Sequence, residues 1–157
     1  MKSKCKRYAV SMARIEQEVR AQGKRVCRDY LVVTPRLEGV VHLLVTDQAH
    51  RTAYQAGTSD ELVPWNVMKA QALQVDELQI IFPNGRVASA AQRRADGLKA
   101  SRKAGHMSVL CLTVDAAVQR LRDANGAGVN LKTTSEFSGK RLAQKPGNTT
   151  AVSPRKE

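Results

Sequence analysis

The segment Leu37-Glu38-Gly39-Val40-Val41-His42-Leu43-Leu44-Val45-Thr46 decides the fold class. Its apolar residues follow one another almost without interruption, and many are β-branched, so the alternation of a wet face with a dry one is missing. A strand covered on both faces accounts for such a run better than one with a solvent-facing side. Cover of that kind calls for helices, and helical patterns lie on either side of the segment.

Toward the N-terminus, Met12, Ile15, Val19 and Val26 recur at helical spacing, while Arg14, Arg20, Lys24, Arg25 and Arg28 fall elsewhere around the same cylinder. A helix is predicted over 12–26, with Ser11 as its N-cap and Gly23 as the place where it would break. Toward the C-terminus, Asp47 is expected to cap a short helix carrying Ala49, Ala53 and Ala56 on one side and ending at Gly57. Asp60 and Glu61 ahead of Pro64 open a further helix through Leu73. Leu78 to Phe82 is the next strand, stopped by Pro83-Asn84-Gly85, whose residues favour a tight turn. Residues 87–103 read as a helix weakened at Gly97 and closed by Gly105. Ser108 to Val114 is a third strand. Thr113 or Asp115 then caps a helix with Val114, Ala117, Val118 and Leu121 facing inward, ending at Asn125-Gly126, and Val129 to Thr133 is expected to return as an edge strand.

Strands alternating with helices in this way predict an α/β or α+β fold, a small mixed sheet covered by short helices. The expected organisation is a basic flexible arm over 1–10, one compact domain over 11–134, and a disordered basic tail over 135–157, where Ser, Gly, Lys, Gln, Pro and Thr dominate. A chain of 157 residues is long enough for one proper core. With 4% aromatic residues, that core must be built from Val, Leu, Ile and Ala.

Charge narrows the function classes. Lys and Arg number 26 against 14 Asp and Glu, a formal net charge of +12. The excess is clustered. Residues 1–30 hold nine basic and three acidic side chains, and residues 81–110 hold six and one, whereas residues 31–80 hold three basic and six acidic. Blocks of this sign favour polyanionic partners. The nucleic-acid-binding candidates are Lys4, Lys6 and Arg7 of the arm, Arg14, Lys24 and Arg25 of the first helix, and Arg86, Arg93, Arg94, Lys99, Arg102 and Lys103 of the 86–103 segment. Lys140, Arg141, Lys145, Arg155 and Lys156 of the tail would add attraction without sequence readout. The scarcity of aromatics argues against recognition of single strands by stacking.

Cys5, Cys27 and Cys111 are odd in number and widely spaced, so they form neither a disulfide framework nor a close zinc pair. No secretory signal is read near the N-terminus, and no run approaches eighteen apolar residues, so neither secretion nor a membrane span is expected and the cytoplasm is the predicted compartment. The Asn148-Thr149-Thr150 acceptor pattern would then go unmodified. No cofactor or metal is expected, and no zinc-finger, Walker, nucleotide-fingerprint or nucleophile-elbow pattern is present. The sequence thus predicts a nucleic-acid-binding accessory or regulatory protein, with DNA favoured slightly over RNA and a homodimer as a means of enlarging the footprint. The alternative is an assembly module for an acidic protein partner. The third reading is a small enzyme using His42, His50, His106 or Cys111, which requires those side chains to converge with an acid or base.

Overall fold

The structure is a computed structural model that describes residues 2–126, with side chains from Met12 onward. The side chains of the expected arm, Lys4, Lys6 and Arg7 included, the expected strand over 129–133 and the tail over 135–157 lie outside the described residues. The described residues fall into two units that divide after Leu121. The sheet and its core belong to the first, and of the second only 122–126, which are helical, are described.

The first unit begins with α1 (Lys2–Ala21), followed by β1 (Arg25–Thr34), β2 (Leu37–Asp47) and β3 (His50–Ala56). A 3-10 turn at Asp60–Leu62 leads into α2 (Val63–Ala72), and β4 (Glu77–Phe82), α3 (Gly85–Ala100) and β5 (Ser108–Thr113) follow. A last helix, α4, starts at residue 114 and continues to 126. The five strands lie side by side in chain order. β1, β2 and β3 form an antiparallel meander, and β4 and β5 add in parallel. β2 alone therefore runs against the other four, and the fold is a mixed-sheet α+β architecture.

Two-residue connections fix the meander. Thr34 pairs with Leu37 across Pro35-Arg36, where the Thr34 hydroxyl accepts from the Arg36 N–H at 3.3 Å. Asp47 pairs with His50 across Gln48-Ala49, and Gln48 sits at φ +54, the left-handed conformation that primed hairpin turns demand. Parallel neighbours cannot be joined so tightly, and α2 and α3 make the two crossovers.

The helices cover both faces, as the opening segment required. On one face α2 and α3 bury Val63, Val67, Ala70, Ala88, Ala91 and Ala95 over Leu44, Ala53, Leu78, Ile80, Phe82 and Cys111. On the other, Met12, Ile15 and Val19 of α1 and Ala117, Val118 and Leu121 of α4 cover Leu43, Val45, Tyr54 and Ile81. Strand alternation sorts the residues: Leu78, Ile80 and Phe82 face α2 and α3, and Ile81 faces the opposite layer. In β2 the sorting changes side. Leu37 and Val41 pack with the α2 layer, but Leu43 and Val45 pack with α1, and the change falls at His42, across from Asp29 at φ +47.

Two expectations are overturned. The first helix starts at Lys2, so Ser11 lies within it and is not its N-cap, and it does not run to Val26. It ends at Ala21, because Gly23 at φ +76 lets the Lys24 N–H reach Val19 C=O and its own N–H reach Arg20 C=O, a Schellman closure. Arg25 and Val26, expected in that helix, and residues 27–34, which the sequence did not mark, together form the edge strand β1. The short helix expected after Asp47 is instead β3. A nine-residue helix gains little by itself, whereas the segment laddered between β2 and β4 buries Thr52, Ala53, Tyr54 and Gln55. Two details also differ in mechanism. Asn84 works as the N-cap of α3, its side-chain oxygen accepting from Val87 N–H at 3.0 Å, and α3 passes through Gly97 without interruption. Thr113 caps the last helix by accepting from Ala116 N–H, as expected.

The exposed edge of β5 is occupied from within. The Gln92 amide of α3 donates to Val109 C=O at 3.1 Å and accepts from Cys111 N–H at 2.7 Å, so one side chain stands in for a neighbouring strand.

Candidate functional site

The two basic blocks meet different fates. On α1 and the start of β1, Arg14 pairs with Asp115 at 2.8 Å and Lys24 with Asp47 at 3.8 Å. Arg20 and Arg28 both converge on Glu16, which is 6% exposed and accepts from Arg20 Nε at 2.8 Å and from Arg28 Nε at 2.7 and 2.8 Å. The hydrogen bond from Arg28 does most to hold the Glu16 carboxyl below its ordinary range. This side of the molecule spends its cations on its own carboxylates. Arg25 is exposed and makes no salt bridge among the described residues.

The α3 block is arranged differently. Ala88, Ala91 and Ala95 are buried against the sheet, and Val87 and Leu98 pack beside them. Small alanines draw the helix close to the strands and leave its long side chains pointing outward. Arg86, Arg93 and Lys99 are exposed on the helix, and Arg102 and Lys103 on the turn that closes it. None of these five makes a salt bridge among the described residues. Arg94 is set apart, pairing with Asp60 at 3.5 Å, which explains how an arginine near the apolar sector is drawn away from it. The one carboxylate of the helix, Asp96, accepts from the Gln92 amide at 3.0 Å.

The closing turn has its own strain. Arg102 lies at φ +61, with its N–H on Lys99 C=O and the Lys103 N–H on Leu98 C=O, the arrangement that Gly23 makes after α1. A left-handed residue with a side chain costs about 1–2 kcal/mol. Here that side chain is an exposed cation.

Since α1 and α3 cover opposite faces of the sheet, folding does not gather the two blocks into one surface. Of the sequence candidates, the structure groups Arg86, Arg93, Lys99, Arg102 and Lys103, sets Arg14, Lys24 and Arg94 in ion pairs, and leaves Arg25 exposed at the start of β1.

The histidines and Cys111 do not assemble into a catalytic group. His42 Nδ1 accepts from Ala56 N–H at 3.1 Å at one end of β3, and His50 lies at the other end, about 20 Å away at the usual rise of a strand. His50 faces Asp76 at 3.7 Å. Cys111 is buried, and burial first, then Asp96, pushes its thiol up to about 12, away from thiolate chemistry. Among the described residues no group of three or more His, Cys, Asp or Glu side chains is placed to hold a metal ion. No helix there is long and apolar enough to cross a membrane.

One polar arrangement escaped the sequence reading. The ladder between β2 and β3 ends at Leu43–Tyr54, so the strands part just where β2 changes face. Lys69 of α2, 5% exposed, donates to Val40 C=O at 2.9 Å, and His42 receives Ala56 N–H. Both side chains thus engage main-chain groups beside the parting. Gly39 makes this feasible, since a Cβ there would stand 2.7 Å from Lys69 Cδ. No residue pattern announces a lysine that burial will draw inward, although Gly39 inside a strand was the available signal.

Burial and the nearby Lys69 charge lower the His42 pKa below 6.5, so the folded protein favours the neutral ring that can accept the Ala56 bond. Between the folded value and 6.5 the unfolded chain binds more protons, and stability falls as pH drops through that window. His42→Asn, which keeps an acceptor and does not titrate, is expected to flatten the unfolding free energy from pH 7 to 5 relative to the parent. Urea titrations across that range check it, and equal slopes in both proteins would remove His42 from the account.

No protein-family model, curated protein sequence or solved structure matches this chain.

Proposed function

We propose that the protein binds nucleic acid, DNA in preference to RNA, as an accessory or regulatory factor without catalysis of its own. The observation that carries this reading is the set of five exposed cations on α3 and its closing turn, Arg86, Arg93, Lys99, Arg102 and Lys103, with no salt bridge among the described residues. The opposite layer shows that this chain pairs its cations where charge serves the fold. Leaving five unpaired on one element creates a field that phosphates neutralise with release of counterions. The left-handed Arg102 supports the same conclusion, because a glycine would close the helix with less strain.

The test is titration of the full chain with a labelled duplex DNA, the corresponding single strand and an RNA duplex over a range of salt. Submicromolar binding of duplex DNA near physiological salt, weakening steeply as salt rises, is the expected result. Equal and weak binding of all three, at the level of any basic protein, would refute the proposal.

A second reading, self-association, has its own observation. Leu31, 58% exposed, pairs with Val40 across the β1–β2 hairpin, and Val33, 65% exposed, shares their face, which nothing covers among the described residues. A second copy docked there would bring two α3 helices into one assembly. Sedimentation velocity should then find a dimer that Leu31→Lys with Val33→Lys dissociates, and a monomer at all concentrations would dismiss it.

A further inference from the structure

We propose that α3 is a groove-entering helix that reads duplex DNA, with Arg86 and Arg93 directed to base edges and Lys99, Arg102 and Lys103 to flanking phosphates. The inference rests on the reading above and narrows its substrate to B-form duplex.

The geometry of the outward line carries it. At 3.6 residues per turn, the direction opposite buried Ala88, Ala91 and Ala95 holds Arg86, Ser89, Ala90, Arg93, Gly97 and Ala100. The two arginines are the only long side chains on that line. Between and beyond them stand Ser89, Ala90, Gly97 and Ala100, and a Cβ built on Gly97 meets nothing within 4 Å. A helix that only draped over phosphates would gain from long cations along its whole crest. This crest is nearly bare apart from two, which lets the backbone approach a floor closely while two arginines reach ahead of it.

The dimensions agree. Seven residues of helix advance about 10 Å, close to three base-pair steps of about 3.4 Å each. The major groove of B-DNA, about 12 Å wide, admits one helix, and arginine bonds guanine there through two acceptors. The A-form major groove of RNA is too narrow and deep for side chains to read. Single strands are bound chiefly by stacking on aromatic side chains, and α3 has none. Arg94, held by Asp60, is withdrawn from the crest, and Asp96 points to its flank, bonded to Gln92.

The experiment uses the full chain, a labelled 24-base-pair duplex DNA of mixed sequence, and an RNA duplex of the same sequence. Ser89→Leu and Gly97→Leu add neutral bulk to the crest at positions open to solvent. Each should weaken DNA-duplex binding at least tenfold while leaving the salt slope within one unit of the parent, with thermal unfolding confirming that the fold is retained. DNA duplexes selected from a randomised pool should share guanines three base pairs apart, and Arg93→Lys should lose that enrichment while keeping the salt slope. If both leucine variants bind as the parent does, or the RNA duplex binds equally well, or no guanine spacing emerges, groove entry is refuted while phosphate binding stands. If the parent protein binds none of the probes near physiological salt, the underlying reading fails with it.

Discussion

Phe82→Ala is expected to lower the unfolding free energy by about 3–5 kcal/mol. Phe82 is buried at the end of β4, and its ring lies against the strand exit at Gly57. A Cβ on Gly57 would stand 2.6 Å from Phe82 Cε1, 2.8 Å from Phe82 Cζ and 2.7 Å from Ile80 Cγ2. Gly57 cannot retreat, because its N–H is bonded to Ile81 C=O at 2.8 Å. Gly57→Ala should therefore cost about 1–3 kcal/mol by overpacking. The two changes share one space, so they should not add. In the Phe82→Ala background the added methyl enters the vacated volume, and its cost should fall well below the value in the parent, with Ile80 supplying what remains. Chemical denaturation of the four proteins of this cycle checks the claim, and strict additivity would mean that the ring and the glycine are not in contact.

Replacing Arg86, Arg93, Lys99, Arg102 and Lys103 together by glutamine should abolish most DNA affinity. If Lys99, Arg102 and Lys103 each neutralise one phosphate, the slope of log K against log salt becomes shallower by about 2.7, at roughly 0.9 per phosphate. The corresponding neutralisation of Arg14, Arg20 and Lys24, which are ion-paired, should leave that slope nearly unchanged while reducing stability. Arg102→Gly sharpens the contrast. Glycine relaxes the left-handed turn, so stability should rise by up to about 1 kcal/mol, yet binding should weaken. Fluorescence anisotropy and thermal unfolding on the same samples separate the two effects. Loss of slope from the α1 set and not from the α3 set would move the interface to the other side of the sheet.

How much of this was legible depended on whether local chemistry or distant partners decided a segment. The doubly covered strand was readable because Val40 to Val45 carry no polar alternation, and α3 because its stretch is rich in the helix formers Ala, Arg and Lys. β3 was not, since Ala49, Ala53 and Ala56 satisfy a helical period as well as a strand set between two neighbours, and only the hairpin turn at Gln48 settles it. β1 was hidden because an edge strand buries little, and Arg28, Asp29, Tyr30, Leu31 and Val33 are all exposed. For the candidate site, the sequence located every basic block. It did not show which of them had acidic neighbours, because Arg14 finds Asp115 and Arg94 finds Asp60 across long stretches of chain. Lys69 was invisible for the same reason, being distinguished by a carbonyl 29 residues away.

The strand order that matches chain order has a consequence for biogenesis. Each strand leaving the ribosome finds the preceding one already in place as its template, and no later segment must be threaded between earlier ones. Such a sheet can grow outward as the polypeptide is made, with α2 and α3 laid down in turn. The α1 layer closes last, when α4 completes its cover over Leu43, Val45 and Tyr54. A nascent chain stopped before residue 114 should thus hold the sheet with one flank still sticky, the stage at which a chaperone would be most needed.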